Sequence, residues 1–264
     1  MPIDTRFNPL ISVIIPVFNG EIYLRKAIQS VLDQDYKKIQ LILVDDGSTD
    51  STSTILERYR DKATIIRQNN SGPGAARNKG IRIATGELIA FLDADDLWPK
   101  DNLSQHVAVF AANPNFDVVL GKLQCLRAIS PANEVLCKTE EETRNSYLDH
   151  QLSVPFYSYL FGAAVAKSHV IQSVGYIDEQ HNLGEDVDWF LRVRESKTTL
   201  SKADHIALHY RRHETSLTQL NRENSMLRVL KESLDRRRES TGNHCNAKAI
   251  PPVVVPVSAS VEQL

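Results

Sequence analysis

Asp93, Asp95 and Asp96 close the run GELIAFLDADD with no basic residue among them. Clustered carboxylates repel one another, and a divalent cation that bridges them to phosphate oxygens offsets that repulsion. The same turn would equally serve as a solvated bend capping a helix that starts near Pro99. Asp45 and Asp46 make a second acidic turn after another apolar run. Asp46 could accept a hydrogen bond from an imide N–H such as that of uracil, or simply shape the turn before the next helix. Gly72-Pro73-Gly74 precedes Arg77 on a predicted helix, where backbone N–H groups and a guanidinium would meet phosphate. The glycines match neither the dinucleotide fingerprint nor the phosphate-loop pattern, which argues against ordinary NAD and ATP sites. Glu185 and Asp186 abut the apolar run VDWF. A carboxylate held there could deprotonate a hydroxyl, its basicity tuned by burial and pairing, or could only balance the charge of a helix N-terminus. His205, His209 and His213 recur every fourth residue, but IALHY between them reads as a strand. That leaves His213 as a single candidate ligand or phosphate contact and His205 as structural or exposed.

The elements that must hold these residues follow from hydrophobic patterning. Residues 11–15 (ISVII), ended by Pro16, and 41–44 (LILV), ended by Asp45-Asp46-Gly47, read as buried parallel strands. Leu24, Ala27, Ile28, Val31 and Leu32 recur at helical spacing between them, which completes a βαβ unit. Ser48 or Thr49 is expected to cap a helix carrying Ile55, Leu56 and Tyr59. A strand at 64–66 follows, then a helix closed near Gly86 and a strand at 88–92. Acidic and glycine-bearing loops that follow successive strands belong at the C-terminal edge of an open sheet, where such folds bind ligands. Further on, Leu103, Val107 and Phe110 suggest a helix and 116–120 a strand. Residues 121–150 read as a polar, irregular segment, 156–166 as core near a substrate pocket, and 219–238 as a charged helix.

The 264 residues suit one large α/β domain with a small appendage. Lys plus Arg number 31 against 33 Asp plus Glu, a formal net charge of -2, so no dominant basic face for nucleic acid is expected. Cys125, Cys137 and Cys245 have no metal-ligand spacing. With no apolar N-terminal leader and no apolar run of about 18 residues, a cytoplasmic or cytoplasm-facing protein is expected.

Taken together, SVIIPVFNGEIYLRKAIQSVLDQ, LILVDDGSTDST, NSGPGAARNKGI, GELIAFLDADDLWPKDNL, VGYIDE and GEDVDWFLRV resemble, in order, the motifs of the family 2 glycosyltransferases, over roughly residues 10–215. The resemblance implies an α/β GT-A nucleotide-diphospho-sugar transferase fold, with a Rossmann-like, mostly parallel central sheet flanked by helices. It implies a GT-A domain over 1–218, a C-terminal helical segment over 219–246 and a flexible tail over 247–264. It assigns Pro16, Phe18, Glu21, Asp46 and Asp93 to the donor nucleotide, to which the reading of the Gly72-Pro73-Gly74 turn adds Arg77, and Asp93, Asp95 and His213 to a bound Mn2+ or Mg2+. Asp186 becomes the catalytic base of an inverting, single-displacement transfer. The implied partners are a nucleotide-sugar donor, with UDP favoured, and a sugar, lipid-linked glycan or other hydroxyl acceptor in polysaccharide, lipopolysaccharide or glycoconjugate assembly. This is compatible with peripheral association at the inner face of the cytoplasmic membrane and leaves the oligomeric state open. Processive members carry QxxRW, whereas this chain has Gln219-Leu220-Asn221-Arg222-Glu223 without the Trp, so one sugar per encounter is expected. Two rivals use the same acids differently: a sugar nucleotidyltransferase, and a noncatalytic carbohydrate- or protein-binding domain. The separate Asp186 argues against the first, and the joint presence of Asp46, Asp93, Asp95 and Asp186 against the second.

Overall fold

The computed structural model describes residues 7–130, 133–136, 155–181, 183–213 and 225–241. In chain order the first half comprises β1 (Ile11–Val17), α1 (Leu24–Leu32), β2 (Ile39–Asp45), α2 (Thr52–Glu57), β3 (Thr64–Arg67), α3 (Pro73–Ile83), β4 (Leu88–Phe91) and α4 (Asn102–Ala112). Then follow β5 (Val118–Ser130), β6 (Asn133–Leu136), a 3₁₀ turn (Phe161–Ala163), β7 (Ala164–Lys167), α5 (His169–Val174), α6 (Glu185–Glu195), β8 (Leu200–Arg212) and α7 (Ser225–Thr241). The strands form one mixed sheet of order β3-β2-β1-β4-β7-β5-β6, with β8 also paired to β5. β3, β2, β1 and β4 run parallel, β7 runs antiparallel to β4 and β5, and β8 lies parallel to β5. The chain leaves β1 toward β2 on one side and toward β4 on the other. That reversal opens a crevice beyond the C-terminal ends of these strands.

The apolar runs became the parallel strands because every residue of β1 and of β4 is buried. Such strands are covered on both faces and need no polar alternation. α1 buries Leu24, Ala27, Ile28 and Val31; Leu24, Ile28 and Val31 each contribute roughly 1.5–3 kcal/mol by leaving water, and the Ala27 methyl less. α3 approaches closely: a Cβ on Gly80 would stand 2.5 Å from Ile14 Cγ2 of β1.

Several expectations are corrected. β1 runs through Pro16 instead of stopping there. The Ile14 carbonyl accepts from Leu92 N on the β4 side, so Pro16, two residues on, would direct its missing N–H to that side too, where β4 pairing has already ended. Ser48 and Thr49 cap no helix. Ser48 N donates to Asp45 Oδ1, Ser48 Oγ accepts from Asn19 N, and Thr49 N donates to Asn19 Oδ1, which laces the turn after β2 to the loop after β1. α3 ends at Ile83, before Gly86. The segment taken as irregular from 121 onward is instead the continuation of β5 and then β6, while 137–154 lie outside the described residues. The strand expected around IALHY is present: His205 and His209 lie on β8 and His213 just past its end, so each is about 13 Å from the next and they do not converge.

α7 covers the outer side of α6. Val229 is fully buried and packs where a Cβ on Gly184 would stand 3.2 Å from its Cγ2. Gly184 has φ +86°, a left-handed conformation that favours glycine. Glu195 anchors the other end, accepting from Ser233 Oγ at 2.5 Å and Arg236 Nε at 2.9 Å. Of the expected 219–246 segment, 219–224 and 242–246 lie outside the described residues, as does the 247–264 tail.

Candidate active site

Three acidic turns and the end of β8 meet at the C-terminal edge of the sheet. The turn after β2 holds Asp46, whose Oδ1 accepts from Gln68 Nε2 and Ser71 N and whose Oδ2 accepts from Gly72 N. Three of its roughly four lone-pair directions thus hold the loop that leads into α3. Pro16 is buried in β1, and Phe18, half exposed, stands just beyond it. Glu21 Oε2 accepts from Ser51 N, so this residue ties the loop after β1 to the start of α2.

Arg77 lies elsewhere than at an open anion site. It is buried, and its guanidinium donates to Asp93 Oδ1 at 2.6 Å and to Glu185 Oε1 at 2.6 Å. Its Cζ stands 5.2 Å from the centre of the Phe161 ring. Burial works against its charge, but Asp93 and Glu185 hold its pKa above the ordinary value. Arg77 therefore joins the acidic turn after β4 to the first turn of α6, and two carboxylates occupy the fork that was expected to meet phosphate. Small neighbours on α3, Gly74, Ala75, Ala76 and Gly80, bring that helix near enough for the reach.

After β4 the three acids diverge. Asp93 is 40% exposed and its carboxyl is raised, by burial first, with Arg77 opposing and Asp95 adding to the shift. Asp96 is buried and accepts from Arg211 N at 2.7 Å. Burial, then Asp95 and Asp93, push its carboxyl well up. Asp95 is 39% exposed, its Oδ2 lies 3.0 Å from His213 Nε2, and its carbonyl accepts from the Arg211 guanidinium. Tyr23 packs beside this group, 4.9 Å from the His213 ring centre and 4.4 Å from Arg211 Cζ.

Asp93, Asp95 and His213 supply hard oxygen donors and one imidazole, a set suited to Mn2+ or Mg2+. Burial is the main cause of the raised Asp93 carboxyl, and the neighbouring Asp95 adds negative charge that a cation would offset, so the donor set fits the group. These atoms are not gathered around one point, however. Among the described residues, the group whose ligand atoms lie within 4.8 Å of one another is Asp178, His181 and Glu232, which sequence reasoning missed. Asp178 and Glu232 are 54 residues apart, and no local spacing announces them.

Asp186 occupies the first turn of α6, half-buried, with Val187 N donating to its Oδ1 at 2.7 Å. Burial pushes its carboxyl up to about 7, with Glu185 adding and Arg77 opposing. Such a group is a free base near neutral pH yet still basic enough to take a proton. The helix-end reading of this acidic pair also has substance, because Glu185, Asp186 and Asp188 all fall in that first turn.

A sheet edge lined by acidic turns, with a separate carboxylate of raised pKa in the first turn of α6, makes up the candidate site. The profile of glycosyl transferase family 2 matches residues 12–161, and the chain belongs to that family. An uncharacterized glycosyltransferase of Rickettsia typhi is 33% identical over 192 residues, covering 72% of this chain and 60% of that protein. One of Haemophilus influenzae is 44% identical over 109 residues, 40% of this chain and 44% of that protein. The chain thus spans no more than about 60% of the length of these curated relatives. Residues 1–349 of S. aureus TarS in complex with UDP-GlcNAc superpose with TM-score 0.65 at 22% identity, over 84% of this chain and 65% of that one. A mannosyltransferase, PcManGT from Pyrobaculum calidifontis in complex with GDP-Man and Mn2+, gives TM-score 0.58 at 19% identity, over 95% and 70%. At these identities the likeness shows the fold, a GT-A-like mixed sheet flanked by helices.

Proposed function

We propose that this chain is an inverting, metal-dependent, non-processive glycosyltransferase that moves one sugar from a nucleotide sugar, most favourably a UDP-sugar, to an acceptor hydroxyl. The observation that carries the reading is Asp186, a half-buried carboxylate with a pKa raised to about 7, joined through its neighbour Glu185 and Arg77 to Asp93. Asp186 takes the proton of the acceptor hydroxyl as that oxygen bonds to the sugar C1 and the bond from C1 to the diphosphate breaks. One displacement inverts the anomeric centre, and no covalent sugar intermediate forms. Asp93, Asp95 and His213 are the residues that would hold Mn2+ or Mg2+, whose positive charge favours departure of the diphosphate. Separate carboxylates for cation and proton are required, because one bound to a metal is no longer a free base. The ligands bound to the two structural neighbours, UDP-GlcNAc and GDP-Man with Mn2+, support the choice of donor class and cation.

The acceptor proposed is a sugar, lipid-linked glycan or similar hydroxyl compound in envelope polysaccharide or glycoconjugate assembly, reached at the inner face of the cytoplasmic membrane. The proposed association is peripheral; among the described residues no helix is long and apolar enough to cross a membrane. The test measures release of nucleoside diphosphate from UDP-, GDP- and dTDP-sugars, each with Mn2+ and with chelator. One nucleotide class should turn over with metal only, and Asp186→Asn should abolish turnover while binding donor normally. Undiminished transfer by that variant overturns the assignment.

A further inference from the structure

His181 sits in the loop that enters α6, with its side chain only 2% exposed. Its Nε2 lies 2.8 Å from Glu232 Oε2 on α7 and 3.6 Å from Asp178 Oδ2. The three ligand atoms all lie within 4.8 Å of one another. In a tetrahedral zinc site with bonds of about 2.0–2.2 Å, neighbouring ligand atoms stand roughly 3.3–3.6 Å apart, a spacing the two His181 distances bracket.

Each carboxylate is also fixed by the oxygen it does not present to His181. Asp178 Oδ1 accepts from Gln180 N at 2.8 Å, and Glu232 Oε1 accepts from Arg228 Nε at 2.9 Å. Outer contacts of this kind orient ligand oxygens toward a metal. Asp178 and Glu232 are 37% and 34% exposed, so water reaches the side opposite the buried imidazole and can complete a four-coordinate shell. With a neutral imidazole the three groups carry two negative charges, one of which already faces the Arg228 guanidinium.

We propose that Asp178, His181 and Glu232 form a second divalent-cation site, separate from the acids after β4, that takes Zn2+ or a cation of similar nitrogen and oxygen preference. Its ligands come from the loop before α6 and from α7, so the bound ion clasps the C-terminal helix to the segment that leads into Glu185 and Asp186. The clasp lies on the side of that segment where Val229 packs against Gly184. The imidazole must present its Nε2 lone pair to the cation, so protons compete with the metal for the ligands and binding weakens as pH falls.

The test titrates Zn2+ by calorimetry into metal-stripped full-length chain carrying Asp95→Asn, which removes a ligand from the other site. One equivalent should bind saturably, more weakly at pH 6 than at pH 7.5, and should raise Tm. Adding Glu232→Gln should weaken it at least about tenfold and His181→Ala should abolish it. Co2+ in the same chain should give the intense visible absorption of a four-coordinate ion, lost with Glu232→Gln. Glu232 is partly exposed, so that variant keeps the test valid if His181→Ala fails to fold. Absence of saturable binding in the Asp95→Asn chain, or binding unchanged by Glu232→Gln, overturns the proposal and leaves His181 as a structural bridge between two carboxylates.

Discussion

Asp186 and Arg77 set the behaviour of the site between them. A base whose pKa is raised to about 7 must lose its proton before it can act. The logarithm of kcat/KM is therefore expected to fall by about one per pH unit below 7 and to level off above it, a profile read from initial rates across pH 5.5–8.5. Arg77 presents two N–H groups to two acids, and a lysine cannot reproduce that fork. Arg77→Lys is expected to lower kcat about 10–100-fold, since small misplacements of reacting groups carry losses of that order. Arg77→Met leaves the buried Glu185 carboxylate without its partner, at a cost of up to about 3–5 kcal/mol, and should lower Tm sharply in a melting experiment. The acids themselves were legible, because Asp46, Asp93, Asp95 and Asp186 follow strands or open a helix, where local pattern locates them. The Arg77 bridge was not, because a buried ion pair spanning 108 residues is decided by packing that no periodicity encodes.

At the scale of elements, α3 governs how near Arg77 comes to its acids. Gly80 permits the contact with Ile14, and a methyl group there would stand 2.5 Å from Cγ2. Gly80→Ala is expected to cost about 1–3 kcal/mol by overpacking and to reduce turnover, because the helix must back away and withdraw Arg77. Thermal melting and kcat measured together check this. The parallel strands and α1 could be read from sequence because they are buried on the pattern their neighbours require. β5 and β6 could not: β5 pairs with β7, β8 and β6 along its length, so its residues meet different surroundings and lose a single alternation. The turn after β2 misled for another reason, since Ser48 and Thr49 hydrogen-bond across to the neighbouring loop where a cap was expected.

For the molecule as a whole, the acids at the sheet edge oppose folding at neutral pH. Asp186 has a folded pKa above its unfolded value, so the folded state binds the extra proton. Its contribution to stability is complete below the unfolded pKa of about 4 and is lost as pH rises through about 7. Asp50, Asp117, Glu195 and Glu232 are shifted down and act the other way, losing stability in acid. Asp186→Asn should flatten the fall in Tm between pH 5 and 8 and melt higher than the parent at pH 8, by about 2–4 °C for each kcal/mol relieved.

The strand order also sets a timetable. β1, β2, β3 and β4 all precede residue 92, whereas Asp186 and His213 come much later in the chain. Synthesis at about 5–20 residues per second delivers the parallel half and its first acidic turns on the order of ten seconds before His213. Under the proposed function, a ribosome-bound chain at that stage would have the parallel half of the crevice without the proposed base, Asp186, and could not spend a nucleotide sugar until the rest of the chain had joined it.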